Sequence, residues 1–197
     1  MKKNILIMFD CYGVVSSCAL LPYFISHFGE EKGREYNAHY SKLGDMGDIT
    51  LRVMAIEMSR ITGEDHNDIY DYWIENTVVE PRMKKLLAYL KEKYYVVLAS
   101  NAMEGIVEDT FKKHELEPYF DKVFVSYKYK DIKPNLSYYY RIINSFDVKF
   151  EKIVMVDDYA PNIAPLKDEG IIGILFTDFD SLVIELEKTL LEPIIID

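Results

Sequence analysis

Four places in the sequence hold residue types capable of polar chemistry. Asp10 follows an apolar run, NILIMF at 4–9, and opens the segment FDCYGVV. A carboxylate there either bonds to its own loop or caps a helix, or it serves as a nucleophile or metal ligand. Gly13 allows a tight backbone path three residues on. Asp157 and Asp158 follow the run IVMV at 153–156. Adjacent acids repel unless a cation or hydrogen-bond donors stabilise them. They either cap a helix around Pro161 or bind a hard cation such as Mg2+, which takes oxygen ligands. Ser100 and Asn101 supply a hydroxyl and an amide, suited to capping a helix from about Ala102 or to holding an anion at its N-terminus. Lys133, in DIKPN, is either solvated surface or a cation that balances the acids and attracts a phosphoryl oxygen.

The elements needed to gather these residues are legible. Continuous apolar runs at 4–9, 95–99, 122–125, 153–156 and 171–176 suit strands covered on both faces, as in parallel sheets. Helical spacing appears between and after them at 82–93, 103–114, 135–145, 161–169 and 181–191. Such alternation predicts an α/β fold with right-handed crossovers. In open α/β sheets, ligands bind outside the carboxyl ends of the strands. Asp10, Ser100, Asn101, Asp157 and Asp158 all fall just past strands, and Lys133 lies in the loop after the third. With Asp10 brought to Asp157 and Asp158, the metal reading outweighs capping. The stretch 16–79 breaks the alternation, is too long for a loop and reads as a helical cap, with Thr50 as a helix N-cap after the turn GDMGDIT. The expected division is a core of 1–15 and 80–197 with a cap of 16–79.

Composition narrows the partners. A net charge of −10 over 197 residues argues against a nucleic-acid partner, which requires basic patches. A small anionic substrate remains compatible, because a local cation can reverse the field in a pocket. No run approaches the roughly 20 apolar residues of a membrane span. No secretory signal precedes Cys11 and Cys18, so both are expected as reduced thiols in a cytoplasmic protein. Oligomeric state is not encoded legibly.

The segments FDCYGVV, VVLASN, SYKYKDIKPNLSYY and MVDDYAPNIAPLKDEG resemble, in order, the four motifs of the haloacid dehalogenase-like superfamily. The resemblance spans the chain. It implies a Rossmann-like parallel sheet of order 5-4-1-2-3 with a small helical cap after the first motif. It implies Asp10 as the nucleophile forming a covalent aspartyl intermediate, with Ser100, Asn101 and Lys133 binding and stabilising the transferred group. It implies Mg2+ held by Asp10, the Tyr12 carbonyl and Asp157 with Asp158, and Asn162 supporting that loop. Lys130 stands where the family often has Gly.

One position departs from the family pattern. Phosphatases of the superfamily usually carry a second Asp two residues after the nucleophile, as acid and base, and here that residue is Tyr12. A phenol with a pKa near 10 is a poor base at neutral pH. Tyr there resembles the metal-independent 2-haloacid dehalogenases, whose halide leaving group needs no proton; that reading also requires a cationic halide site, for which Arg34 is a candidate. The paired acids pull toward Mg2+-dependent phosphatase-like hydrolysis of a small phosphorylated metabolite, the favoured reading. A catalytically weak binding protein is the third. Cys11, the scattered histidines, and Tyr36, Tyr40 and Trp73 are expected to be packing or surface residues.

Overall fold

In the computed structural model, which describes residues 2–196, the apolar runs form one parallel sheet. Its strands are β1 (Ile5–Phe9), β2 (Tyr95–Ser100), β3 (Lys122–Val125), β4 (Lys152–Asp157) and β5 (Ile172–Leu175), in the order β3-β2-β1-β4-β5. This is the expected order, read from the opposite edge. Side chains alternate across a strand, and along the central strands β2, β1 and β4 both faces are covered. Ile7, Phe9, Val96, Leu98, Val154 and Val156 join one core. Leu6, Met8, Val97, Ala99 and Met155 join the other. This explains why the strands read as unbroken apolar runs rather than alternating ones.

Directly after β1 the chain inserts four helices, α1 (Leu20–Phe28), α2 (Glu30–Asp45), α3 (Leu51–Thr62) and α4 (His66–Glu75), before a fifth helix leads into β2. Thr50 caps α3, its hydroxyl accepting the Val53 N–H at 3.2 Å. Their aromatic residues pack on one another. Phe24 stacks on Tyr40, and Tyr23 meets Trp73 edge-on at 5.3 Å between centroids. Trp73 is fully buried, Tyr40 nearly so, and Tyr36 packs against the same core. Burying a side chain of this kind contributes roughly 1.5–3 kcal/mol.

Helices α5 (Pro81–Lys93), α6 (Ile106–His114) and α9 (Phe179–Leu190) cover the first face of the sheet. The second face is covered by α7 (Leu136–Ile143), with Tyr138, Tyr139 and Ile142 turned inward, and by the segment after β4. That segment is not the single helix expected over 161–169. It is a short helix, α8 (Ala160–Ile163), followed by a 3-10 turn over Ala164–Glu169. Pro165 has no N–H to bond one turn back, so an α-helix cannot run through it. No helix among the described residues is long and apolar enough to cross a membrane.

Candidate active site

The sheet register sets the site. Phe9 pairs with Val156, and the Asp10 N–H continues the ladder to the Val156 carbonyl at 2.9 Å. Asp10 and Asp157 therefore leave neighbouring strands side by side. Lys133 closes the space between them: its Nζ lies 2.8 Å from Asp10 Oδ1 and 2.6 Å from Asp157 Oδ2. All three are buried, Lys133 at 2% exposure and Asp10 at 8%. The lysine is thus no solvated surface residue. Burial alone would lower its pKa, but Asp10 and Asp157 outweigh burial and hold it above its ordinary value. Burial pushes the Asp10 carboxyl up to about 6; Lys133 opposes the rise and Asp157 adds to it.

Asp157 and Asp158 are used differently. Asp157 Oδ1 accepts the Tyr159 N–H at 2.9 Å, and Asn162 Nδ2 donates to both Asp157 oxygens at 3.0 and 3.1 Å. With Lys133 added, Asp157 is saturated by its own loop and by the lysine. Asp158 is exposed, and no other described residue donates to it. Its carboxyl is raised by partial burial and then by Asp157. It lies over Gly13, where a Cβ would come within 2.1 Å of Asp158 Oδ2 and where φ is +92°. Only glycine allows that approach. One oxygen each from Asp10, Asp157 and Asp158 lies within 4.8 Å of the other two. Asp10 Oδ2 and Asp158 are the carboxylate positions that no neighbouring donor occupies. An all-oxygen set of this kind, with room for waters, fits Mg2+.

Ser100 and Asn101 do not cap a helix. α6 begins only at Ile106, after Gly105. The Asn101 amide instead clamps the Lys133 backbone, donating to its carbonyl at 3.0 Å and accepting its N–H at 2.8 Å. The Ser100 hydroxyl is fully buried and without a hydrogen-bond partner among the described residues. Lys130 has φ +51°, a left-handed conformation that glycine adopts more readily. Neither Asp157 nor Asp158 caps α8, which starts after Tyr159 without a side-chain cap.

The Tyr12 hydroxyl is 3.0 Å from Thr110 Oγ1 on α6, and burial raises it well above its ordinary pKa. Cys11 is buried, with its thiol likewise pushed up, as befits a packing residue. Arg34 turns to solvent, with its side chain 61% exposed and paired to Glu30. A cleft of about 190 Å3 is lined by Tyr12, Cys18, Asn37, Asp45, Asn101 and Met103, and it meets the site through Tyr12 and Asn101. A larger hollow of about 550 Å3 around Phe111, Pro118 and Lys128 has neither Tyr12 nor Asn101 in its wall. Asp45, at the end of α2, lines this cleft and was not singled out from the sequence; nothing in its local pattern marks it, and only the packing of α2 brings it there.

Residues 26–171 match the family model of haloacid dehalogenase-like hydrolases. Among curated proteins, the chain is 34% identical over 74 residues to bifunctional epoxide hydrolase 2 of Rattus norvegicus, covering 38% of this chain and 13% of that protein. It is 31% identical over 125 residues to the Sus scrofa protein of that name, covering 61% and 22%. The chain thus matches only about a fifth or less of the length of these relatives. Among solved structures, a HAD family enzyme from Bacteroides thetaiotaomicron, in complex with magnesium and inorganic phosphate, is similar with a TM-score of 0.73 at 20% identity, covering 92% of this chain and 99% of that one. L-2-haloacid dehalogenase from Xanthobacter autotrophicus, with chloropropionic acid covalently bound, is similar with a TM-score of 0.65 at 17% identity, covering 98% and 85%.

Proposed function

This chain belongs to the haloacid dehalogenase-like hydrolases, and we propose that within that family it is a Mg2+-dependent phosphatase-like enzyme acting on a small phosphorylated metabolite. The observation that carries this reading is the division of labour among the acids. Asp10 and Asp158 keep carboxylate oxygens free of neighbouring donors, while Lys133 and Asn162 tie Asp157 down. In a metal-independent site, a further acid beside the nucleophile would only disfavour its charged form.

In this reading the Asp10 carboxylate attacks phosphorus and forms the aspartyl phosphate. At neutral pH a carboxyl of pKa about 6 is largely ionised. Lys133 orients it through Oδ1 and presents positive charge to the phosphoryl oxygens. The unpartnered Ser100 hydroxyl completes the phosphate seat, and Asn101 supports it by holding the Lys133 backbone in place. Asp10, Asp158 and the Tyr12 carbonyl would hold Mg2+, with Asp157 behind them. The ion would supply charge neutralisation and a template for the phosphoryl group. Helices α1–α4 serve as the cap. The small cleft suits a compact substrate, and a similar fold binds magnesium and phosphate in the Bacteroides enzyme.

The test is phosphate release from a panel of phosphoesters and acyl phosphates, with Mg2+ and with chelator. Metal-dependent release that vanishes in Asp10→Asn is expected; no release from any member would end the proposal. Tyr12 favours a second reading, 2-haloacid dehalogenation. Its candidate halide residue, Arg34, faces solvent. Halide release from 2-chloropropionate in the presence of chelator would establish it in place of the first.

A further inference from the structure

Phosphoester hydrolysis needs a proton carrier for the leaving group, and at the usual position Tyr12 offers only a phenol bonded to Thr110. We propose that Asp45, on the last turn of α2, is the general acid and base of this site. The inference rests on the phosphatase reading above.

Asp45 lines the same cleft as Tyr12 and Asn101. Its main chain is fixed there. Ser126 Oγ donates to the Asp45 carbonyl at 2.7 Å and accepts the Ala102 N–H at 3.1 Å. Ala102 adjoins Asn101, whose amide clamps Lys133. Gly44 packs so tightly that a Cβ would lie 2.6 Å from the Met103 side chain. The end of α2 is therefore pinned to the loop that carries the phosphate seat. By contrast, the Asp45 carboxylate has no hydrogen bond or ion pair among the described residues. It is a half-buried acid, rigidly placed, with its oxygens free to meet a ligand.

Its chemistry suits the task. Burial first, and the Asp10 charge second, raise its carboxyl to about 7, against the pull of Lys133. A proton carrier works best with a pKa near the operating pH. The titratable groups facing it are Asp10 and Lys133 from the core and Tyr12 and Cys18 from the segment after β1. Burial raises Tyr12 and Cys18, so both stay neutral.

The bond changes balance. Asp10 forms its O–P bond as the P–O bond to the alcohol breaks. The departing oxygen keeps the electron pair and takes the proton of the Asp45 carboxyl, leaving as the alcohol. Water then attacks phosphorus and gives a proton to the Asp45 carboxylate. The Asp10–phosphorus bond breaks, releasing inorganic phosphate and restoring both acids.

Asp45→Asn in the full chain, assayed with Mg2+ on 4-nitrophenyl phosphate and on a primary alkyl phosphate, tests this. Loss of an acid/base residue costs roughly 10²–10⁴-fold, so turnover of the alkyl ester should fall by that factor. The nitrophenolate burst should survive, and phosphoenzyme should accumulate because its hydrolysis has lost its base. Adding Tyr12→Asp to Asp45→Asn should restore alkyl phosphate turnover. Asp45→Ser, with thermal melts of each variant, separates a folding defect from a catalytic one. Wild-type rates on both esters, or an equal loss on both without a burst, would overturn the role of Asp45 while leaving the phosphatase reading intact. A wild-type protein that releases no phosphate from either ester fails on both counts.

Discussion

Asp10 should destabilise the fold it serves. In the native state its pKa is about 6, against an ordinary 3.8. The folded protein therefore holds this proton more tightly than the unfolded chain. A raised carboxyl has the opposite sign to a depressed one. Stability is full below about pH 4, falls as pH rises through the window to about pH 6, and then levels off. A shift of about two units at 1.36 kcal/mol per unit is on the order of 3 kcal/mol. An asparagine in place of Asp10 would keep the shape of the side chain and an oxygen to accept from Cys11 and Lys133, without the charge. Asp10→Asn in chelator is thus expected to be more stable than wild type by on the order of 3 kcal/mol at neutral pH. For a chain of this size that is roughly 6–12 °C in Tm. The gain should shrink toward zero near about pH 4, where wild-type Asp10 is protonated in both states. Neutralising Asp10 also relieves Asp45, whose carboxyl it raises, a change of the same sign. Urea denaturation followed by circular dichroism from acid to neutral pH measures the difference. Mg2+ should then stabilise wild type by mass action and Asp10→Asn far less. A variant less stable than wild type at neutral pH, or a difference that ignores pH, would refute the account of a strained, desolvated carboxylate.

Lys133→Met leaves Asp10 and Asp157 buried without their shared cation. Breaking such a pair costs about 3–5 kcal/mol, and the loss should be smaller in acid, where Asp10 protonates; an unchanged urea midpoint at neutral pH would count against the ion-pair geometry. Gly13→Ala adds a methyl 2.1 Å from Asp158 Oδ2 at a φ of +92°. A backbone strain of about 1–3 kcal/mol and a roughly 10–100-fold weaker Mg2+ affinity, typical of displaced support around a metal, are expected by calorimetric titration. Ser126→Ala frees the Asp45 carbonyl and the Ala102 N–H. A stability loss of about 1–3 kcal/mol should accompany slower turnover of an alkyl phosphate, with 4-nitrophenyl phosphate cleavage largely spared.

The sheet was legible because its central strands are buried on both faces, so runs such as ILIMF and KIVMVD stand out as apolar and lead into acids. The rule that ligands sit past the carboxyl ends of strands then brings Asp10, Asp157, Asp158 and Lys133 together from the sequence alone. What depended on individual hydrogen bonds was not legible. Which of the adjacent acids stays free is decided by the Tyr159 N–H and the Asn162 amide, both directed at Asp157. Ser100 and Asn101 have the right chemistry for helix caps, but α6 starts five residues past Asn101, and Asn101 spends its amide on the Lys133 backbone. Asp45 was out of reach altogether. It enters the cleft through contacts between α2 and Met103 and Ser126, which lie roughly 60 to 80 residues further along the chain.

The placement of Asp45 bears on how Tyr12 can occupy its position without emptying the site of function. The side chain two residues after Asp10 is directed to Thr110 on α6 and contributes packing; in the proposed metal site only its backbone carbonyl takes part. The proton carrier then belongs to the helices inserted after β1 rather than to the strand-end loop. In the proposed mechanism, attack by Asp10 depends on groups that the sheet itself fixes. Protonation of the leaving group depends on how the end of α2 is seated against Ala102, Met103 and Ser126. The two halves of the reaction are thereby separable. Leaving groups that need no proton should be released whenever the core is intact, whereas alcohols require α2 in place. In such an arrangement the inserted helices govern not only which substrate enters but also which bond can be broken.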